Sequence, residues 1–149
     1  MKEIVFKDAD READYEFGRL LHHAAYQEVV TRQFGSWEEK IQDDFFKEGW
    51  NRAPHKIILV DGNAVGIYSV AEYPDHIFLS ELQISPEYQG KGLGTKIMKE
   101  QMQYAKKRDL ALRLQVLQEN RAQELYLRLG FLVIENTNTH VKMEWKGLS

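Results

Sequence analysis

Apolar positions along the chain alternate between a helical and a strand-like spacing, and the switches mark out the elements. Ile4-Val5-Phe6 is a short apolar run that predicts a first strand. From about Asp10 to Gln33, Phe17, Leu20, Leu21, Ala24 and Val29 recur at helical spacing, and Gly35 stops that helix. Ser36-Trp37-Glu38-Glu39 places Glu three residues after Ser, the capping-box pattern, and predicts a second helix running to about Gly49. After Pro54 the spacing becomes that of strands. Ile57 to Val60 is followed by a hairpin turn at Asp61-Gly62-Asn63, and Ala64 to Tyr73 returns as the partner strand. Pro74-Asp75 turns the chain again into Ile77 to Ile84. Leu93, Ile97, Met98, Met102 and Ala105 predict an amphipathic helix. A strand at Leu112 to Val116 and a helix at Arg121 to Leu129, stopped by Gly130, come next. Two strands close the chain, about Leu132 to Glu135 and Val141 to Trp145.

The order β-α-α-β-β-β-α-β-α-β-β is that of a mixed α+β sheet domain. With no repeat, low-complexity tract or linker, residues 1–149 are expected to be one domain. The net charge of -3 and pI near 6.0 leave no broad basic face, so no nucleic-acid partner is expected. Lys106-Lys107-Arg108 sits at a helix end, where basic residues complement the dipole. No apolar run reaches the ~20 residues of a membrane span, so no membrane partner is expected. Met1 to Lys7 is too short and charged for a secretory signal, so a cytoplasmic location is expected. The absence of cysteine removes a thiol nucleophile and Cys-ligated zinc, and no metal site is expected.

The candidate chemistry lies at Gln89-Gly90-Lys91-Gly92-Leu93-Gly94-Thr95, between the third meander strand and the long helix. Its glycines let the backbone adopt positive φ and approach a ligand closely. Successive N–H groups at a helix start form an anion cradle, Lys91 adds a positive charge and Thr95 a hydroxyl. A pyrophosphate suits that arrangement. The spacing is neither that of a dinucleotide-binding G-x-G-x-x-G turn nor that of a P-loop. A glycine-rich connection without a ligand is the plainer alternative.

Leu82-Gln83-Ile84-Ser85-Pro86-Glu87-Tyr88-Gln89-Gly90-Lys91-Gly92-Leu93-Gly94 resembles the strand-loop-helix motif of the GNAT superfamily of N-acetyltransferases, including its Gln/Arg-x-x-Gly-x-Gly/Ala signature. A second motif of that family resembles Asn120-Arg121-Ala122-Gln123-Glu124-Leu125-Tyr126 followed by Leu129-Gly130-Phe131. The resemblance implies a single GNAT-like domain, with a mostly antiparallel sheet of six or seven strands and about four helices on its faces. It implies acetyl-CoA as acyl donor, with the amides of the Gln89 to Thr95 loop on the pyrophosphate. The pantetheine arm would bond to the backbone around Leu82 and Ile84, where the strand carries a bulge and splays from its parallel neighbour. A freed amide there would stabilise the tetrahedral oxyanion. Tyr126 stands where the family often places a general acid for the departing thiolate; packing its ring in the core is the alternative role. Asn120 either bonds the pantetheine or caps the helix beginning at Arg121, and the two are compatible.

An amine acceptor that resembles lysine is protonated at neutral pH, so a base is wanted. Glu81 is the first candidate, on the strand expected to hold the thioester and opposite Leu82 and Ile84 by alternation. Some subfamilies carry a strand carboxylate one position earlier, where this chain has Ser80. His140 is the second candidate, and adjacent His22 and His23 are not favoured because at most one faces the site. Tyr26, Phe34, Trp37, Phe45, Phe46 and Trp50 either wall an acceptor pocket or bury the helices on the sheet, and the second is expected of most of them. Glu72, Asp75 and Glu81 are expected to attract a cation. The expected function is direct acetyl transfer to a primary amine of a small molecule or peptide. A non-catalytic acyl-CoA sensor of the same fold is the alternative. The identity of the acceptor, the acyl length and the oligomeric state stay open; many relatives dimerise, which leaves a homodimer open.

Overall fold

The computed structural model describes residues 3–147, so Met1 and Lys2 of the amino-terminal segment discussed above lie outside the described residues. The chain runs β1 (Ile4–Asp8), α1 (Glu12–Phe34), α2 (Glu39–Arg52), β2 (His55–Val60), β3 (Asn63–Glu72), β4 (His76–Ile84), α3 (Leu93–Lys107), β5 (Ala111–Leu117), α4 (Ala122–Arg128), β6 (Leu132–Asn136) and β7 (His140–Trp145), with a 3-10 turn at Pro86–Tyr88 before α3. The strands form one seven-stranded sheet in the order β1-β2-β3-β4-β5-β7-β6. Every pairing is antiparallel except that of β4 with β5. The α+β class and the expected element order hold. No described helix is long and apolar enough to cross a membrane.

Alternation along the central strands sorts the helices onto two faces. Ile57 and Ile67 point to one face, where they pack with Phe46 and Trp50 of α2 and with Tyr15, Phe17 and Leu21 of α1. Their neighbours Ile58 and Tyr68 point to the other, against Leu93 and Ile97 of α3. Farther along, Met98 and Ala105 of α3, Tyr126 of α4 and Phe131 close over Ile77, Leu112, Leu114 and Met143.

The helix starts differ from expectation. At α2 the capping box does not form: Glu38 is the N-cap, without a side-chain cap bond, and Glu39 is the first helical residue. Glu39 instead accepts hydrogen bonds from the Trp37 indole (2.8 Å) and from Arg19 of α1 (3.3 Å), so a tertiary ion pair takes the carboxylate that the local cap would need. At α1 the N-cap residue is Arg11, and Asp14, three residues on, accepts from the N–H groups of Asp10 and Arg11 and from the Arg11 guanidinium. That guanidinium, helped by the amide bonds and opposed by burial, holds the Asp14 carboxyl down to about 2.

The sheet opens at β4. On the β3 side, Ser69 pairs with Glu81 and Val70 with Leu79, which leaves Ser80 as the extra residue of a β-bulge. On the β5 side the parallel ladder covers only His76 to Phe78, opposite Ala111 to Arg113. Beyond Phe78 the two strands part, while β5 continues to Leu117 paired with β7 alone. The bulge and the splay that the family resemblance implies are both present.

Gly66 on β3 keeps the two strands in contact behind this opening. A Cβ there would stand 2.6 Å from the carbonyl oxygen of Gln83 and 3.0 Å from Ile58 Cδ1. The obstacle is backbone, which has little room to move. Gly66→Ala is therefore expected to destabilise the fold by about 1–3 kcal/mol, as overpacking does. Urea unfolding checks this, and an unchanged midpoint refutes the tight approach.

Candidate active site

The gap between β4 and β5 is a cleft of about 350 Å³. Leu79 to Gln83 line one side and Leu114 to Val116 the other, with Asn120, Ala122 and Tyr126 at one end and Tyr26 of α1 above. Along this stretch the β5-facing edge of β4 has no strand partner, so its N–H and C=O groups are free for a ligand that lies as a further strand. Leu82 and Ile84 pack their side chains in the core with Leu93 and Ile97, and of the two Leu82 lines the cleft. The Ile84 carbonyl already accepts a hydrogen bond from the Gln89 side chain at 2.7 Å, which ties the glycine turn to the end of β4.

The glycine turn offers open space and free amides at the start of α3. Gly90 and Gly92 have φ of 73° and 83°, and a Cβ added at either, or at Gly94, would meet nothing within 4 Å. The helical ladder begins with the Lys96 N–H on the Gly92 carbonyl (2.9 Å), and among the described residues the N–H groups of 90–95, Leu93 and Thr95 included, find no backbone acceptor. The exposed Lys91 ammonium rests 5.3 Å from the centre of the Tyr88 ring. At the far end Asn120 accepts a hydrogen bond from the Ala122 N–H (2.9 Å), a cap of α4, and lines the cleft as well.

A second cavity, of about 710 Å³, lies between α1, α2 and the sheet. It meets the first along Tyr26, Leu79, Ser80, Glu81, Gln115 and Val116, which line both. Glu81 stands at this junction. Its Oε1 is shielded from solvent and has no hydrogen-bond partner. Burial pushes its carboxyl up to about 8, against a smaller opposing contribution from Gln83. Buried Tyr126 packs its ring against Phe131 at 5.7 Å, and its hydroxyl is raised by burial and then by Glu81. Tyr26 is raised by the same two causes. His140 lines only the larger cavity, its Nδ1 2.8 Å from Thr139 Oγ1, and burial followed by Lys142 lowers it. The fold thus gathers Glu81, Tyr126 and Asn120 at the cleft and leaves His140 in the adjoining cavity.

A match to the Acetyltransferase (GNAT) family model spans residues 22–131, more than half of the chain, and contains both motifs and the junction. The chain belongs to the GNAT acetyltransferase family. GNAT acetyltransferases are acyl-CoA-dependent enzymes, and the open edge of β4 beside an amide-lined turn fits that donor. Solved structures share the fold at low identity. The PaiA N-acetyltransferase of Thermoplasma acidophilum, in complex with coenzyme A, superposes with a TM-score of 0.76 at 20% identity, over 97% of this chain and 99% of that one. An acetyltransferase from Thermus thermophilus gives 0.71 at 17% identity, over 96% of each. The ribosomal-protein-S18-alanine N-acetyltransferase from Escherichia coli gives 0.64 at 20%, over 98% of this chain and 94% of that one. No curated protein sequence matches the chain.

Several expectations change on this GNAT frame. Glu72 binds Arg108 and the Tyr104 hydroxyl, each at 2.7 Å, and Asp75 binds His76, so neither faces the cavities and only Glu81 remains of the expected acidic group. Of the six aromatic residues, Trp37 lies outside the cavity lining and meets His23 edge-on at 5.0 Å, whereas Tyr26, Phe34, Phe45, Phe46 and Trp50 line it. Phe46 is also core, at 4% exposure, but Phe34 and Phe45 are 53% and 61% exposed at the cavity. His22, which the sequence gives no reason to favour, lines the cavity, and so does Gln115.

Two outcomes follow from this geometry. Gly92→Asp keeps a residue that tolerates positive φ while setting a carboxylate beside the amides, so coenzyme A affinity should fall at least tenfold in a folded variant; titration calorimetry checks it, and unchanged affinity removes the turn from the site. Because burial pushes the folded Glu81 carboxyl up to about 8, above its ordinary 4.5, the contribution of this group to stability is full below pH 4.5 and is lost as pH rises through 8. Glu81→Gln should therefore raise Tm relative to wild type at pH 9 and not at pH 4, and an equal difference at both values contradicts the buried carboxyl.

Proposed function

We propose that the protein transfers an acetyl group from acetyl-CoA directly to a primary amine, with Glu81 as the general base. The observation that carries this is the unpartnered Glu81 oxygen at the junction of the two cavities. A buried polar atom without a partner costs stability, and a site that positions a base accounts for it. A sensor of acyl-CoA needs the cleft, but not an adjoining cavity with a poised carboxylate between them.

Glu81 takes a proton from the incoming ammonium; with its carboxyl near 8, the group is close to the working range of a base. The freed amine lone pair forms the N–C bond, an unpaired β4 amide beyond Phe78 holds the developing oxyanion, the nitrogen gives up its second proton to solvent, and the C–S electron pair leaves with sulfur. The Tyr126 hydroxyl protonates that sulfur. Because burial raises the phenol further above a thiol near ~8.5, this transfer is uphill by roughly 2 kcal/mol or more, a cost that amide formation offsets. His140, neutral and facing the larger cavity, binds the acceptor rather than the thioester. The acceptor is a small-molecule or peptide amine, and the Escherichia coli neighbour, named for a protein alanine, supports the peptide case.

An acetyl-transfer screen over polyamines, amino acids, aminoglycosides and peptides, read by thiol release, tests the proposal, and tight acetyl-CoA binding without release on any amine overturns it. With an amine so found, Glu81→Gln should lower kcat/KM by about 10²- to 10⁴-fold and abolish the rise of kcat/KM as pH approaches 8. Tyr126→Phe should lower kcat with acetyl-CoA affinity unchanged, and wild-type kinetics in that variant relegate Tyr126 to packing.

A further inference from the structure

His22, His23 and Asp43 form a hydrogen-bonded row that starts in the larger cavity and ends at a partly exposed carboxylate. Asp43 Oδ1 lies 2.7 Å from His23 Nε2, and His23 Nδ1 lies 3.3 Å from His22 Nδ1. Asp43 also takes an ion pair from Arg19 at 2.9 Å, and its carboxyl is lowered first by the His23 bond. An ionised Asp43 only accepts, so His23 Nε2 must carry a proton. With a single proton on His23, held at Nε2 by Asp43, His23 Nδ1 is the acceptor and His22 Nδ1 the donor. The row therefore fixes His22 in the Nδ1–H form and leaves the lone pair on Nε2, which has no hydrogen-bond partner among the described residues.

His22 is set among apolar rings. Tyr26 lies 4.5 Å and Phe46 5.0 Å from its centre, and His22 lines the larger cavity. Burial above all lowers the imidazole to about 3, so it stays neutral. A neutral ring whose one free nitrogen is an acceptor, in a cavity that adjoins Glu81, suits a ligand that donates an N–H. Glu39 comes close enough to His23 and Asp43 for a metal ion to be considered, since the ligand atoms of the three lie within 4.8 Å. Arg19 already bridges Glu39 and Asp43, however, and supplies the positive charge that the two carboxylates need.

We propose that His22 is an acceptor-binding residue: its Nε2 lone pair receives an N–H of the amine, and Asp43 acting through His23 is the positioning pair that holds this tautomer. This rests on the acetyl-transfer proposal for the use of the site, but the tautomer itself does not. Isolated imidazole side chains favour Nε2–H, so the locked form has a distinct signature. Long-range 15N–1H correlation spectra of histidine-labelled protein at pH 7 should show His22 protonated at Nδ1 alone, and His23→Phe should return it to the Nε2–H form. His22 charged, or in the Nε2–H form in the wild type, overturns the proposal. The functional arm uses the amine of the screen with the highest turnover. His22→Phe, which keeps a ring against Tyr26 and Phe46, should raise the amine KM about tenfold with kcat nearly constant, the loss of one hydrogen bond. His22→Gln, which restores an acceptor, should recover most of it. Equal KM in His22→Phe and wild type overturns the proposal. If no amine in the screen is acetylated, the transfer proposal fails, and the spectra with benzylamine added still decide: a shift of His22 Nε2 supports binding, and none overturns it.

Discussion

A parallel pair of strands that begins to form and then stops is the constraint from which the site follows. β4 and β5 share a ladder only from His76 to Phe78, and the bulge at Ser80 bends β4 away just where the ladder ends. A sheet interior does not ordinarily leave one edge of a strand unpaired, because buried N–H and C=O groups without partners are costly. Here the unpaired edge is tolerated because it faces a cleft. Gln89 from the glycine turn lines that cleft, Ala122 and Tyr126 of α4 line it as well, and α1 roofs it with Tyr26.

The same parting sets the electrostatics. With β5 displaced, Glu81 Oε1 is shielded from solvent and finds no hydrogen-bond partner, and burial pushes the carboxyl up to about 8. Tyr26 and Tyr126, drawn into the same dry space, rise with it, Glu81 contributing after burial. Three titratable groups thus share one desolvated junction, and their perturbation has one geometric origin. The acceptor side is organised separately. Arg19 and His23 of α1 hold Asp43 of α2 by an ion pair and a hydrogen bond, and His22 carries that network to the cavity wall.

Element order and the glycine turn with its free amides were legible in the sequence because they rest on local features. Alternation and helical spacing placed each strand and helix, and Gln89 to Thr95 carried its own chemistry in its glycines. The capping box failed because Glu39 is claimed by Arg19, twenty positions away, and no local pattern records that competition. Glu72 and Asp75 look like Glu81 in sequence, but Arg108 pairs with Glu72 and His76 bonds Asp75, whereas Glu81 follows the bulge and lines both cavities. The role of His22 was equally hidden, since it depends on Asp43 arriving from another helix at hydrogen-bond distance of His23.

That the opened edge of β4 is the donor site is tested most directly by amide hydrogen exchange of the full chain with and without acetyl-CoA. Saturating acetyl-CoA should slow exchange at Leu79 to Ile84 and at residues 90–95, and leave the paired strands β1 and β2 unchanged. Binding that leaves Leu79 to Ile84 exchanging as in the free protein would contradict the account.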